Sequence, residues 1–248
     1  MALDPNREIE EFLARTSTSH ERHLRVVEAI DDAPDRASLR KGLAVDAMFR
    51  LGVEWELLQH RWHVAAISRD PSKVIAREIE HIAAVQGKVR KNSARVFDVS
   101  INHRKPTRLK QSEIEQLVDP QDRNLGFADM QAWRRVATKD LASIYVERVC
   151  RLADDPKSAS FLDLVKSMRD YIAHGSRDAS RRLNRMVAPR IDGEAGLVGS
   201  INEPLARAQN GIRDLGTYLN RDLGYPATNR LDLIHLRVQG LAEKLRTD

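Results

Sequence analysis

The chain has 248 residues and a mass of 28.2 kDa, enough for one large domain or two small ones around a continuous apolar core. With 42% hydrophobic and 31% charged residues and a mean hydropathy of -0.49, it is expected to be globular, neither a disordered polymer nor a membrane-spanning protein. Forty-one Lys and Arg against 36 Asp and Glu leave a net charge of +5 at pH 7, which permits a polyanionic partner wherever the surplus is concentrated. The single cysteine, Cys150, excludes an internal disulfide and a thiolate zinc site. With no charged-then-apolar leader read at the N-terminus, a reducing cytoplasm is the expected compartment.

Apolar residues recur mostly with a period of 3.6, and aromatic residues amount to 5%, so an all-α fold is predicted. Leu43, Ala47, Leu51, Leu58 and Trp62 lay one apolar stripe on a helix over residues 38–67. Asp70-Pro71 breaks it and starts a second helix to about residue 91, carrying Val74, Ile75, Ile79, Ile82 and Val85. Residues 95–100 are the one plausible strand, and a short helix over 112–118 follows. Trp133, Val136, Leu141, Ile144, Tyr145, Arg148 and Val149 predict one long helix over 128–153, ending before Asp155-Pro156. Ser160 and Asp163 form an S-x-x-D start signal for a helix that runs to His174, with Gly175 as its C-cap. Gly193, Gly196 and Gly199 mark a flexible connection over 191–200, and two further helices are predicted over 202–222 and 228–246. The expected organisation is a helical domain over 1–190 and a C-terminal helical segment over 191–248 packed on it.

Several patterns carry little chemistry. The glycines at 193, 196 and 199 lack a Walker lysine and a preceding strand, so they read as a linker and not as a phosphate loop. His20 with His23 and His60 with His63 each share a helix face, a spacing compatible with a metal, but they read as surface or packing histidines. A helical di-iron site needs two Glu-x-x-His pairs and two further carboxylates. Glu78 with His81 and the looser Asp232 with His235 supply half that set, so no metal and no cofactor is assigned. Cys150 sits on an apolar helix with no histidine partner and reads as a core residue.

The informative stretch is Arg169-Asp170-Tyr171-Ile172-Ala173-His174-Gly175, at the end of an amphipathic helix. Arg169 lies at the edge of the apolar face and Asp170 opposite it. Five residues separate Arg169 from His174, which is about 140° in azimuth and ~7.5 Å in rise on a regular helix, too far for both to reach one small group. Either the helix ends at Gly175 and His174 swings over, or two copies of the segment meet across a dimer axis. Arg177, Arg181 and Arg185, with Arg182 beside them and Arg190 beyond, make a basic stripe if the helix continues, leading away from His174, and Lys166 extends it one turn upstream. Alone this stripe is a solvated face; beside an Arg and His pair it becomes a phosphate track.

These residues resemble the signature of the HEPN family of all-helical proteins, Arg-x4-6-His at the end of a long helix with a polar residue after the Arg. Arg169, Asp170 and His174 match it with four residues between. Leu162-Asp163-Leu164-Val165, Ile172-Ala173-His174-Gly175, Leu117-Val118-Asp119-Pro120 with Arg123-Asn124-Leu125-Gly126-Phe127, and Gly52-Val53-Glu54-Trp55-Glu56 resemble runs of the RiboL-PSP-like members. The similarity covers approximately residues 39–188. It implies a HEPN-like helical bundle with additional C-terminal helices, acting as a homodimer. The implied activity is metal-independent endoribonuclease cleavage by the 2′-OH of RNA, giving a 2′,3′-cyclic phosphate and a 5′-OH, in a toxin–antitoxin or phage-defence setting with an antitoxin or defence partner protein. His174 would be the general acid or base, since imidazole serves either half of a proton transfer. Arg169 would hold the scissile phosphate, and Asp170 would orient Arg169 or His174 or support the dimer. Lys166, Arg177, Arg181, Arg182 and Arg185 would bind the RNA backbone. Asp170 stands where Asn is commoner, and Ser176 replaces the Tyr that AMP-transfer antitoxins modify. Some family members only bind nucleic acid or nucleotides, and a non-catalytic nucleic-acid-binding or protein-interaction module is the alternative expectation.

Overall fold

Asp4 and Pro5 start the first helix, α1 (Pro5–Ala29): the Asp4 carboxylate accepts the Asn6 N–H at 3.0 Å, and the proline sits where no intrahelical donor is needed. The computed structural model describes residues 3–92, 108–119, 126–188, 205, 211–225 and 228–247. Among them are ten helices and one small hairpin, so the all-α expectation holds. No described helix is long and apolar enough to cross a membrane.

Helix α2 (Arg36–Arg69) runs antiparallel to α1, with Leu3 donating to Ser68, Phe12 against Trp55, and Arg15 on Glu54. Its buried face is Ala44, Met48, Leu51, Trp55, Leu58 and Trp62, at alternating steps of four and three. Leu43 and Ala47, placed on the stripe by their spacing, lie half-buried at its margin. Helix α3 (Ser72–Asn92) starts where the Asp70 carboxylate accepts the Ser72 N–H, and α4 (Gln111–Val118) matches the predicted short helix. The candidate strand at 95–100 and the glycine-rich connection at 191–200 lie outside the described residues.

The single helix expected over 128–153 is two, α5 (Met130–Asp140) and α6 (Ser143–Ala153), separated by Leu141 and Ala142 in extended conformations. The break follows from Asp140, which is 2% exposed, accepts a hydrogen bond from Arg77 and lies 3.6 Å from His63 Nε2. A few backbone hydrogen bonds contribute about 1 kcal/mol each, whereas an unpaired buried carboxylate costs several. The helix yields. Leu141 is thereby fully buried, and α6 turns Val149 and Leu152 into the core. Cys150 is half-buried, not a core residue.

Helix α7 (Pro156–His174) starts one turn earlier than Ser160, because Asp155 caps it by accepting the N–H groups of Lys157 and Ser158, and Pro156 follows. Asp163 therefore does not start its own helix; it accepts the Met130 N–H at 2.9 Å and caps α5. Gly175 ends α7 in the left-handed conformation (φ 56°), as expected. Ser176 then caps a separate helix, α8 (Arg177–Val187), by accepting the Ala179 N–H.

Near the C-terminus, residues 202–204 and 206–210 of the helix predicted over 202–222 lie outside the described residues; within the described part stands α9 (Leu215–Leu219), capped by Asp214. Strands β1 (Asp222–Tyr225) and β2 (Thr228–Asn229) pair antiparallel, Asp222 with Asn229 and Tyr225 with Thr228, where no strand was expected. Helix α10 (Arg230–Glu243) opens with a reciprocal cap between Asn229 and Asp232. It packs on α1, α2 and α7, with Gln239 donating to Thr16 and Ser17, and Arg237 lying 4.4 Å over the Phe161 ring.

The centre of the core is a chain of edge-on aromatic contacts. Phe12 meets Trp55, Trp55 meets Trp133, Trp133 meets Trp62, and Trp62 meets Tyr145, with centroids 5.9 to 6.2 Å apart. It ties α1, α2, α5 and α6 together. On another face of α2, Gly52 lets α7 approach closely: a Cβ there would sit 2.6 Å from Arg169 Cβ.

Gly52→Ala should destabilise the chain by about 1–3 kcal/mol, although alanine is the better helix former by about 1 kcal/mol; a urea midpoint equal to or above wild type would refute the close approach. At Asp163, burial pushes the carboxyl up to about 6, with the Met130 N–H holding it down in part. The folded chain thus binds this proton more tightly than the unfolded chain, so its contribution is full below the ordinary carboxylate pKa and is lost as pH rises through about 6. Asp163→Asn keeps an acceptor for Met130 and removes the buried charge. It should raise stability by roughly 1–3 kcal/mol near pH 7 and flatten the stability profile between about pH 4 and pH 6, read by urea unfolding across that range.

Candidate functional site

The residues singled out from sequence fall at the junction of α7 and α8. Arg169 is held from two sides: its Nη2 lies 2.9 Å from Glu56 Oε2 on α2, and its Nη1 donates to Asp170 Oδ1 at 2.9 Å. Glu56 also takes Lys166 Nζ on its other oxygen at 2.6 Å. Asp170 in turn pairs through Oδ2 with Arg182 Nη1 at 3.5 Å. Lys166, Glu56, Arg169, Asp170 and Arg182 therefore form one line of alternating charge along α7, tied to α2 at one end and to α8 at the other.

Burial grades along this line. The side chains of Lys166, Glu56, Arg169 and Asp170 are 16 to 27% exposed, whereas Arg182 is 62% exposed. In this setting ion pairs are screened less than on an open surface, and the guanidinium spans two carboxylates, one at each terminal nitrogen. Arg169 Nε is buried and has no hydrogen-bond partner, so the fork is filled at its two terminal nitrogens and unsatisfied at its root.

His174 is exposed, and no hydrogen bond or ion pair is described for it. Gly175 ends the helix immediately after it, so its ring stands at the rim of the α7 to α8 turn. The network and the imidazole thus share a helix end, but no described contact joins His174 to Arg169. On a regular helix their five-residue spacing sets them about 140° apart in azimuth.

The arginines of α8 behave differently from a stripe that leads away. Because α7 ends at Gly175 and α8 packs back on α7, Arg182 returns to Asp170. Arg177, Arg181 and Arg185 are exposed; Arg181 meets Asp178 at 3.6 Å, and no ion pair is described for Arg177 or Arg185. Cations outnumber carboxylates here, and the excess lies on the solvent side of α8. A phosphate chain laid across this surface meets exposed guanidinium groups first and the filled Arg169 fork last.

The histidine pairs separate as packing residues do. His63 is fully buried beside Asp140 and Phe127, and burial lowers its pKa, while His60 faces Glu115 at 4.0 Å. His20 stacks on His235, and Glu78 pairs with Arg77. Among the described residues no group of three or more His, Cys, Asp and Glu side chains is placed to hold a metal ion.

Glu56 is the residue that sequence reasoning underused. It was visible only within the Gly52-to-Glu56 run. The usable signal is a glycine one turn before a carboxylate on a long helix, which marks a place where another backbone comes close and brings a cation within reach. Comparison with known protein families, curated proteins and solved structures finds no match for this chain.

Proposed function

We propose that this chain is a HEPN-type, metal-independent endoribonuclease of the cytoplasm, acting as a homodimer in a toxin–antitoxin or phage-defence setting. His174 acts as general acid or base in the attack of a 2′-OH on its neighbouring phosphodiester, which releases a 5′-OH and leaves a 2′,3′-cyclic phosphate. Arg169 stabilises charge on the phosphate oxygens. Lys166, Arg177, Arg181, Arg182 and Arg185 hold the RNA backbone. The observation that carries this reading is the charge line from Lys166 to Arg182, with Arg169 at its middle, set five residues before an exposed histidine at a helix end. A second copy supplies what one chain lacks: across a two-fold axis, the His174 of one protomer and the Arg169 of the other can face one phosphate.

One feature favours a second reading. Both terminal nitrogens of Arg169 are already taken by carboxylates, so the resting site suits a module that binds RNA through α8 without cleaving it. The two readings separate in a single experiment. Wild type and His174→Ala are incubated with mixed RNA in EDTA, and fragment ends are identified. The nuclease reading expects cyclic phosphate ends from wild type and a loss of ~10²–10⁴-fold in rate for His174→Ala. Intact RNA with salt-steep binding supports the module, and equal cleavage by both proteins would overturn the role of His174.

Glu56 competes with phosphate for Lys166 and Arg169. An ion pair of this exposure contributes roughly 1 kcal/mol, so Glu56→Gln should tighten RNA binding about fivefold at low salt, measured by fluorescence anisotropy with labelled RNA. Unchanged or weaker binding would show that Glu56 does not occupy the phosphate position.

A further inference from the structure

A second group of polar side chains lies on another side of α2. Arg50 and Glu54 are two residues from Gly52 and Glu56, about 200° around the helix, and they face α1 and α10 where Gly52 and Glu56 face α7. Two adjoining cavities of about 20 and 160 Å³ occupy the cleft there, sharing Ser19, Ala47 and Arg50 in their walls. The inner one is bounded by His20 and His235, the outer one by Arg22 and His23. Roughly 10–15 Å³ accommodates one water, so the pair holds a small solute of several heavy atoms.

The inner end is built from a stacked imidazole pair. The rings of His20 and His235 lie 4.3 Å apart at 14°, and His23 continues the stack at 6.3 Å from His20. His235 is 94% buried (6% exposed) and makes no described hydrogen bond, although it lines the cavity. His20 Nε2 lies 3.4 Å from Asp232 Oδ1 on α10. From α2, Glu54 is engaged by Arg15 of α1 at 2.8 Å, and Asp46 lines the outer cavity. Arg22 and Arg50 are exposed and have no described ion pair, and Ser19 has no described hydrogen bond. Among the lining residues the uncommitted groups are therefore two guanidiniums, one hydroxyl and the imidazoles of His23 and His235, against the uncommitted carboxylate of Asp46.

We propose that this cleft between α1, α2 and α10 is a binding site for a small tetrahedral oxyanion of the phosphate or sulfate type, held by Arg22, Arg50 and Ser19 with the His20–His235 pair lining its inner end. The donor set matches the four oxygens of such an ion, since guanidinium and hydroxyl both donate and a protonated imidazole does too. Burial, then His20, hold the His235 pKa down to about 4, and burial lowers that of His23. A bound anion adds to the negative charge that Asp232 brings to this cluster and favours the protonated imidazoles. Binding thus takes up protons and strengthens as pH falls. The site is separate from the α7 and α8 surface and does not depend on any role there.

Sulfate is the probe, because it stays dianionic throughout the range and any pH dependence belongs to the protein. It is titrated calorimetrically into the full chain near pH 6 and near pH 8, with ionic strength fixed by sodium chloride. The expected result is saturable binding about tenfold tighter near pH 6, with heats that depend on buffer ionisation as proton uptake requires. Arg50→Gln, an exposed substitution that leaves the fold intact by circular dichroism, should weaken it about tenfold. His235→Gln, or His20→Gln where the buried position does not tolerate the change, should retain binding but lose the pH dependence. No saturable heat from wild type, equal affinity in Arg50→Gln, or an affinity that is the same near pH 6 and pH 8 would each overturn the proposal.

Discussion

The close approach of α7 to α2 at Gly52 is the constraint from which the candidate site follows. No side chain at 52 is compatible with Arg169 in its present place, since a Cβ would come within 2.6 Å of Arg169 Cβ. With the helices that near, Glu56, one turn along α2, reaches both Lys166 and Arg169. Were α7 held off, the Glu56 contacts to Lys166 and Arg169 would have to lengthen or the side chains re-extend. Helices lacking such a glycine pack 8–10 Å apart. The charge line is therefore a consequence of backbone geometry and not of side-chain reach alone.

Buried polar groups set the remaining boundaries. Asp140, between His63 and Arg77, breaks what would be one helix into α5 and α6. Asp163 crosses from α7 to cap α5 at Met130. Both carboxylates sit on helices whose apolar faces are otherwise regular, and both bind groups on helices other than their own. The result is that α5 is fixed at its start by α7 and at its end by α3. The aromatic chain from Phe12 to Tyr145 then packs in the frame these contacts define.

This explains which features could be read from the sequence. Periodicity of apolar residues is a local signal, so α2, α3, α4 and the end of α7 at Gly175 were legible, as were the positions of Arg169, Asp170 and His174 on that helix end. The split at Leu141 was not, because the partners of Asp140 that cause it lie 77 residues upstream of Asp140 at His63 and 63 upstream at Arg77. The S-x-x-D pattern at Ser160 misled because a carboxylate three residues on can cap a neighbouring helix as well as its own. The hairpin at 222–229 has only two paired positions, too few to impose an alternating pattern. At the site, charge and spacing identified the cations of α7 and α8 but not their partner Glu56, whose contact spans 110 residues to Lys166.

The engagement of both terminal nitrogens of Arg169 has a physical consequence for any anion that approaches. Displacing Glu56 leaves a half-buried carboxylate without its cations, and displacing Asp170 frees Arg182 as well as Arg169. The first exchange trades one acceptor for another at the α2 end. The second also releases a guanidinium that can follow the incoming phosphate. Either exchange leaves one carboxylate without two cations, so the two differ in what they release: Lys166 with Arg169 in the first, Arg182 with Arg169 in the second. Entry from the α8 side is favoured over entry along α2, since Arg177, Arg181 and Arg185 are already exposed there. The turn at Gly175 places those arginines and His174 on the same approach.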